Sequence, residues 1–157
     1  IASAGNDKKL DIVASQGADY LINYNKENTL QRMKEITNGR GVDVVFDTVG
    51  GDLMKSSIRA IAFEGRILIV GFTSGEHFKA PTNIILVKWA SLISVRFGKF
   101  SRAYADRTNS NHNKLLKLYE AGVLKPYVGK TYPLNKAADA LKALQRREIT
   151  GKVILTT

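Results

Sequence analysis

The stretch Gly41-Val42-Asp43-Val44-Val45-Phe46-Asp47-Thr48-Val49-Gly50-Gly51 decides the fold. Its centre, Val44-Val45-Phe46, is a continuous apolar run rather than an alternating one, as expected of a strand covered by helices on both faces. It empties into small and polar residues. A second run, Ile67-Leu68-Ile69-Val70, ends the same way in Gly71-Phe72-Thr73-Ser74-Gly75. Between them, a helix over 52–62 would point Leu53, Ile58 and Ile61 at the sheet, with Glu64-Gly65 as its stop. Both runs therefore read as central parallel strands. Ligands of open α/β sheets bind beyond the carboxyl ends of the strands, so the two small-residue stretches are where a site is expected.

Working outward, Ile1-Ala2-Ser3-Ala4-Gly5 reads as the end of a buried strand entering a helix over 7–16, where Leu10, Val13 and Ala14 recur at helical spacing. Gly17 supplies a left-handed cap. A strand over 20–24 follows, then a helix over 29–37 built on Leu30, Met33 and Ile36 and ended by Asn38-Gly39 and Gly41. Beyond the second apolar run, a short helix over 84–90 and a strand over 91–97 are expected. Ser110 is the expected N-cap of a helix to Ala121 that uses Leu115, Leu118 and Tyr119. A short strand over 127–131, a helix capped by Asn135 and carrying Ala137, Leu141 and Leu144, and a strand over 152–155 complete the order. Residues 100–113 are the expected mobile connection.

This alternation implies an α/β fold with a doubly wound, Rossmann-like parallel sheet. A βαβ dinucleotide site puts its glycine-rich phosphate loop on the strand and helix that would precede Ile1. The sheet is therefore expected to be incomplete, without its first strand and Gly-rich loop, and to leave a gap between residues 1–2 and 42–47. Such a gap exposes apolar edges, so the 157 residues by themselves are expected to be inactive and poorly stable.

Composition limits the function classes. A hydrophobic content of 44% over 157 residues is ample for one core. With no apolar run of about 18 residues and no charged-then-apolar leader, neither a membrane span nor a signal peptide is expected. The absence of cysteine excludes disulfides and thiolate metal sites in this segment and suits a reducing compartment, the cytoplasm or the mitochondrial matrix. The net charge of +10 invites a nucleic-acid reading, but the basic residues are dispersed and often lie beside acids. The densest run, Gln145-Arg146-Arg147-Glu148, closes a helix where cations suit the dipole. A phosphorylated small molecule explains part of the excess more simply. His77 and His112 lack supporting acids, so no metal site is expected, and no Ser-His-Asp or paired-carboxylate arrangement is legible.

Several segments in order resemble the zinc-independent quinone oxidoreductase branch of the medium-chain dehydrogenase/reductase family, the group that includes zeta-crystallin. They are the passage from Ser3 to Lys9, Gly17-Ala18-Asp19 leading to Ile22-Asn23-Tyr24, and the opening stretch from Gly41 to Gly51. Further along lie Gly65-Arg66-Ile67-Leu68-Ile69-Val70-Gly71-Phe72, Leu124-Lys125-Pro126, Tyr132-Pro133-Leu134 and Thr150-Gly151-Lys152-Val153. The resemblance is to the C-terminal portion of such enzymes. It implies that residues 1–133 are part of a dinucleotide-binding domain and that 134–157 form a helix and strand returning toward a catalytic domain.

The resemblance also implies NADPH as cofactor. NAD-preferring sites usually hold the adenosine ribose with an acid at the end of the second strand; here Ser3-Ala4-Gly5 stands there, leaving room for a 2′-phosphate. The family pairs a lysine, matched by Lys9, with a tyrosine at the end of the next strand, matched by Tyr24. Asp7 would oppose the phosphate if its carboxylate faced inward. Thr48 matches a ribose-facing position, Val70, Gly71, Phe72 and Thr73 the segment at the nicotinamide end, and Val95, Arg96 and Phe97 a further cofactor-lining stretch. The Phe97-Gly98 pair continues as Lys99-Phe100-Ser101-Arg102, a basic departure from the family pattern.

The implied reaction is hydride transfer from NADPH to a quinone or related conjugated carbonyl, with no acid or base assigned within this segment. The alternatives are a 2-enoyl thioester reductase and a non-catalytic nucleotide-binding or dimerisation module. The expected partners are a quinone or enone substrate and a second copy, joined through an edge strand over 91–97; nucleic acid and membrane are not expected.

Overall fold

The computed structural model describes residues 1–157, which pack as two units, Ile1–Phe97 and Gly98–Thr157. The first unit contains β1 (Ala2–Ala4), α1 (Asp7–Ser15), β2 (Leu21–Asn23), α2 (Thr29–Ile36) and β3 (Val42–Asp47). It continues with α3 (Gly51–Ala60), β4 (Ile61–Ile69), α4 (Thr82–Lys88) and β5 (Ser91–Ser94). Every strand pair is parallel, as the helical crossovers require.

Local chemistry sets the helix ends. The Asn6 side chain accepts the Lys9 N–H at 3.0 Å to open α1, and Asn28 accepts the Gln31 N–H at 3.1 Å to open α2. Two clusters hold the unit. Met54 and Ile58 of α3 close on Ile61 and Ile67 of β4, with Val45, Leu92 and Ile84 packed around them. Ile22, Met33 and Ala60 form the other, joined by Leu30, Ile36 and Val42, so α2 and α3 tie β2 to the start of β3.

The strands fall into two sheets, β1-β2 and β3-β4-β5, with no ladder between β1 and β3. A cleft of about 350 Å³ lies there, lined by Ala2 and Ser3 on one side and by Val44 to Val49 on the other. The interruption falls at the expected place. Cover is less complete than the apolar runs predict. Val45, Ile67 and Leu92 share the face under α3 and α4, whereas Phe46, Leu68 and Ile93, their neighbours in register, share the opposite face. Phe46 is 67% exposed, and Val44 and Ile93 are exposed as well.

Several expected boundaries move. α3 ends at Ala60 rather than 62, because Ile61 is drawn into β4 opposite Val42. Glu64, at φ 59°, and Gly65 therefore lie within β4, where the register shifts, instead of ending a helix. The strand expected over 91–97 stops at Ser94, and Phe97 opens a helix.

The second unit contains α5 (Phe97–Ala103, from the last residue of the first unit), α6 (Ala105–Glu120) and β6 (Val128–Pro133). A 3₁₀ turn (Leu134–Lys136), α7 (Ala137–Gln145) and β7 (Lys152–Thr156) follow. β6 and β7 pair in parallel beside the buried Ala140 and Ala143 of α7. Residues 100–113 are thus mainly helical rather than a connection. Arg107 stacks its guanidinium 5.1 Å from the Phe100 ring and 5.2 Å from the Tyr104 ring, bracing the α5–α6 bend. Ser110 consequently lies inside α6, whose N-cap is Tyr104. Asn135 sits within the 3₁₀ turn, and Lys136 is the N-cap of α7. No helix is long and apolar enough to cross a membrane.

Candidate functional site

The cofactor-binding residues expected from the sequence all lie in the first unit, at or just beyond the carboxyl ends of its strands. Two rims can be described, one at the end of β1-β2 and one at the end of β3-β4-β5.

At the first rim, Ser3 lies opposite Ile22 and Ala4 opposite Asn23. The Tyr24 N–H donates to the Ala4 carbonyl at 3.2 Å, which extends the pairing past β2 and sets the ring beside the β1–α1 turn. There it lies against Gly5. Asn25 Nδ2 donates to the Gly5 carbonyl at 2.8 Å and ties the loop after β2 across the same turn. Lys9, half-buried in the first turn of α1, enters no ion pair. The structure therefore brings Ser3, Lys9 and Tyr24 to one end of the two-stranded sheet.

Asp7 is committed to partners. Its Oδ2 lies 2.6 Å from Lys26 Nζ, and its Oδ1 accepts Asn23 Nδ2 at 2.6 Å. These two hydrogen bonds, Lys26 first, hold the Asp7 carboxyl below the ordinary carboxylate value. Asn23 is only 3% exposed, and its side chain is fixed from both ends, Nδ2 donating to Asp7 and Oδ1 accepting the Asn25 N–H at 3.1 Å. Asn23 and Lys26 were missed by sequence reasoning. The polar run Asn23-Tyr24-Asn25-Lys26-Glu27 at a strand end was the available signal.

At the second rim, the buried Asp47 folds the β3–α3 turn. Its Oδ1 accepts the N–H groups of Val49 at 2.7 Å and Gly50 at 2.9 Å, while Oδ2 is buried with no hydrogen-bond partner. The Val70 N–H donates to the Asp47 carbonyl at 2.8 Å and the Thr73 N–H to the Thr48 carbonyl at 3.0 Å. Thr48, Val70, Gly71 and Thr73 are thereby gathered at one edge, with the Thr48 side chain exposed. Gly50, at φ 75° and ψ −153°, occupies a region open essentially to glycine; a Cβ there would also lie 2.8 Å from the Glu76 carbonyl. Phe72 is turned onto this glycine and stacks on His77 with ring centroids 4.5 Å apart. Both packing and exposure therefore describe Phe72, which stays 41% exposed.

Val95 continues the β4–β5 pairing through its N–H, which donates to the Ile69 carbonyl at 2.9 Å. Arg96 and Phe97 are exposed beyond it. The cleft runs between the two rims and reaches Ser3 at one and Thr48 at the other. Both rims lie at the carboxyl ends of the strands, where ligands of open α/β sheets bind. No three His, Cys, Asp or Glu side chains come together in a way that would hold a metal ion.

Residues 16–155 match a family model described as zinc-binding dehydrogenase. The chain is 36% identical over 158 residues to a quinone oxidoreductase-like protein 2 homolog from Nematostella vectensis, covering 100% of this chain and 43% of that protein. An NAD-dependent alcohol dehydrogenase of known structure superposes with a TM-score of 0.84 and 30% identity, over 99% of this chain and 43% of its own. A quinone oxidoreductase from Pseudomonas syringae pv. Tomato DC3000 gives 0.86 and 26%, over 99% of this chain and 48% of its own. The chain spans about half the length of the relatives it matches.

Proposed function

The chain belongs to the zinc-binding dehydrogenase family, and on that premise we propose that it is the nucleotide-binding portion of an NADPH-dependent oxidoreductase acting on a quinone or a related conjugated carbonyl. One observation carries the choice of NADPH. Just past the end of β1, Lys9 in the first turn of α1 enters no ion pair, the Tyr24 phenol lies against Gly5, and the Asp7 carboxylate is already paired with Lys26. A 2′-phosphate would meet a cation and a phenolic donor there.

The residues present fit a nicotinamide dinucleotide laid across the carboxyl ends of the strands. Ser3, Lys9 and Tyr24 would hold the adenosine end, Thr48 a ribose, and the backbone of Val70 to Thr73 with Val95, Arg96 and Phe97 the nicotinamide end. When bound, the dinucleotide supplies the hydride. The protein supplies orientation: the Asp47 turn and the Thr48–Thr73 hydrogen bond hold the backbone against which the ring would be set. Zinc independence is part of the same reading and rests on the resemblance to the zinc-independent quinone oxidoreductase branch.

Two parts of the reading concern partners. β5 ends the three-stranded sheet, and its free edge supports pairing with a second copy. The acceptor is proposed as a quinone because of the similarity to the Nematostella protein. Titrating the intact protein with NADPH and with NADH, followed by reduction of a benzoquinone, tests the proposal. Preference for NADPH with quinone turnover is expected; preference for NADH, as the similarity to an NAD-dependent dehydrogenase would favour, would overturn the cofactor assignment.

A further inference from the structure

Asp7 is the first residue of α1, just past the end of β1. In dinucleotide folds an acid at that strand end accepts the ribose 2′-hydroxyl and opposes a 2′-phosphate. A carboxylate at this point works against NADPH unless its charge is offset.

Both of its oxygens are engaged from the far side of the turn, Oδ2 by Lys26 and Oδ1 by Asn23, each at 2.6 Å. The two partners are placed by the fold. Asn23 is buried at the end of β2, its N–H bound to Glu27 and its Oδ1 accepting the Asn25 N–H at 3.1 Å. Asn25 in turn is bonded to the Gly5 carbonyl, so the loop that carries Lys26 is strapped to the turn that carries Asp7.

We propose that Lys26 is a cofactor-specificity residue that acts through Asp7: by pairing that carboxylate it removes the repulsion a 2′-phosphate would meet, while Lys9 supplies the attraction. The inference rests on the NADPH reading above. Lys26 is then a positioning residue rather than a phosphate ligand. Losing it frees an acid of the kind that selects the unphosphorylated ribose. Because the pair is exposed and screened, the expected effect is about fivefold rather than a hundredfold.

The test uses the intact protein and two probes that differ only in the 2′-phosphate, 2′,5′-ADP and 5′-AMP. Their dissociation constants are measured by calorimetry for the unaltered protein, Lys26→Ala, Asp7→Asn and the double variant. Lys26→Ala is expected to lose about fivefold of the preference for 2′,5′-ADP, and adding Asp7→Asn is expected to restore it. A loss that persists in the double variant would make Lys26 a direct phosphate ligand and overturn the proposal, as would no loss in Lys26→Ala. The NADPH reading fails separately, through an unaltered protein that binds both probes equally.

Discussion

The Tyr24 ring rests against Gly5: a Cβ added at position 5 would lie 2.9 Å from the Tyr24 Oη and 3.0 Å from the nearest ring carbon. This contact fixes where the phenol stands relative to the β1–α1 turn, and it is possible only because residue 5 has no side chain.

Gly5→Ala is therefore expected to push the phenol aside while leaving the fold intact, since only the end of one side chain has to move. The affinity for NADPH should fall by roughly fivefold, the scale of one net hydrogen bond, with a smaller change for NADH. Fluorescence titration with both nucleotides, alongside circular dichroism, checks this.

Asp47 is expected to matter for stability before it matters for binding. Asp47→Ala strips the acceptor from two backbone N–H groups in a buried turn and should destabilise by about 1–3 kcal/mol. Asp47→Asn keeps an oxygen at Oδ1 and should cost less. Urea unfolding of the intact protein distinguishes the two.

The pH dependence follows from Asp7 and Asp43. Lys26 and Asn23 hold Asp7, and Arg40 holds Asp43, below the ordinary carboxylate value of 3.8. A carboxyl depressed by folding stabilises the folded state above its unfolded pKa, and the contribution is lost as pH falls through the folded one. The stability difference between the unaltered protein and Asp7→Asn should thus be level near neutrality and shrink below about pH 4. Thermal unfolding across pH 3 to 7 reads this directly.

The strands and their small, polar ends were legible because apolar runs ending in glycines leave few alternatives. The end of α3 was not. Ile61 follows Ile58 at helical spacing, so periodicity extends the helix, yet its pairing with Val42 places it in β4. Residues 105–113 hold weak helix formers and a convincing N-cap in Ser110, which hides a helix already begun at Ala105 and braced by Arg107 on two rings. In the candidate site, Lys9, Tyr24 and the glycine turns were proposed through motif resemblance. The Asp7–Lys26–Asn23 cluster was hidden because its members come from separate turns and meet only once β1 and β2 pair. The bare face of Val44 and Phe46 was also unexpected, since an apolar run cannot say whether both its faces are covered within the same segment.

The most direct measurement is the ratio of NADPH to NADH affinity in the intact protein before and after Lys9→Ala. Loss of one charge-assisted contact with a 2′-phosphate predicts a fall of about tenfold to a hundredfold for NADPH, with NADH nearly unchanged. Equal losses for both nucleotides, or no loss for either, would contradict the placement of the adenosine phosphate at the end of β1 and β2.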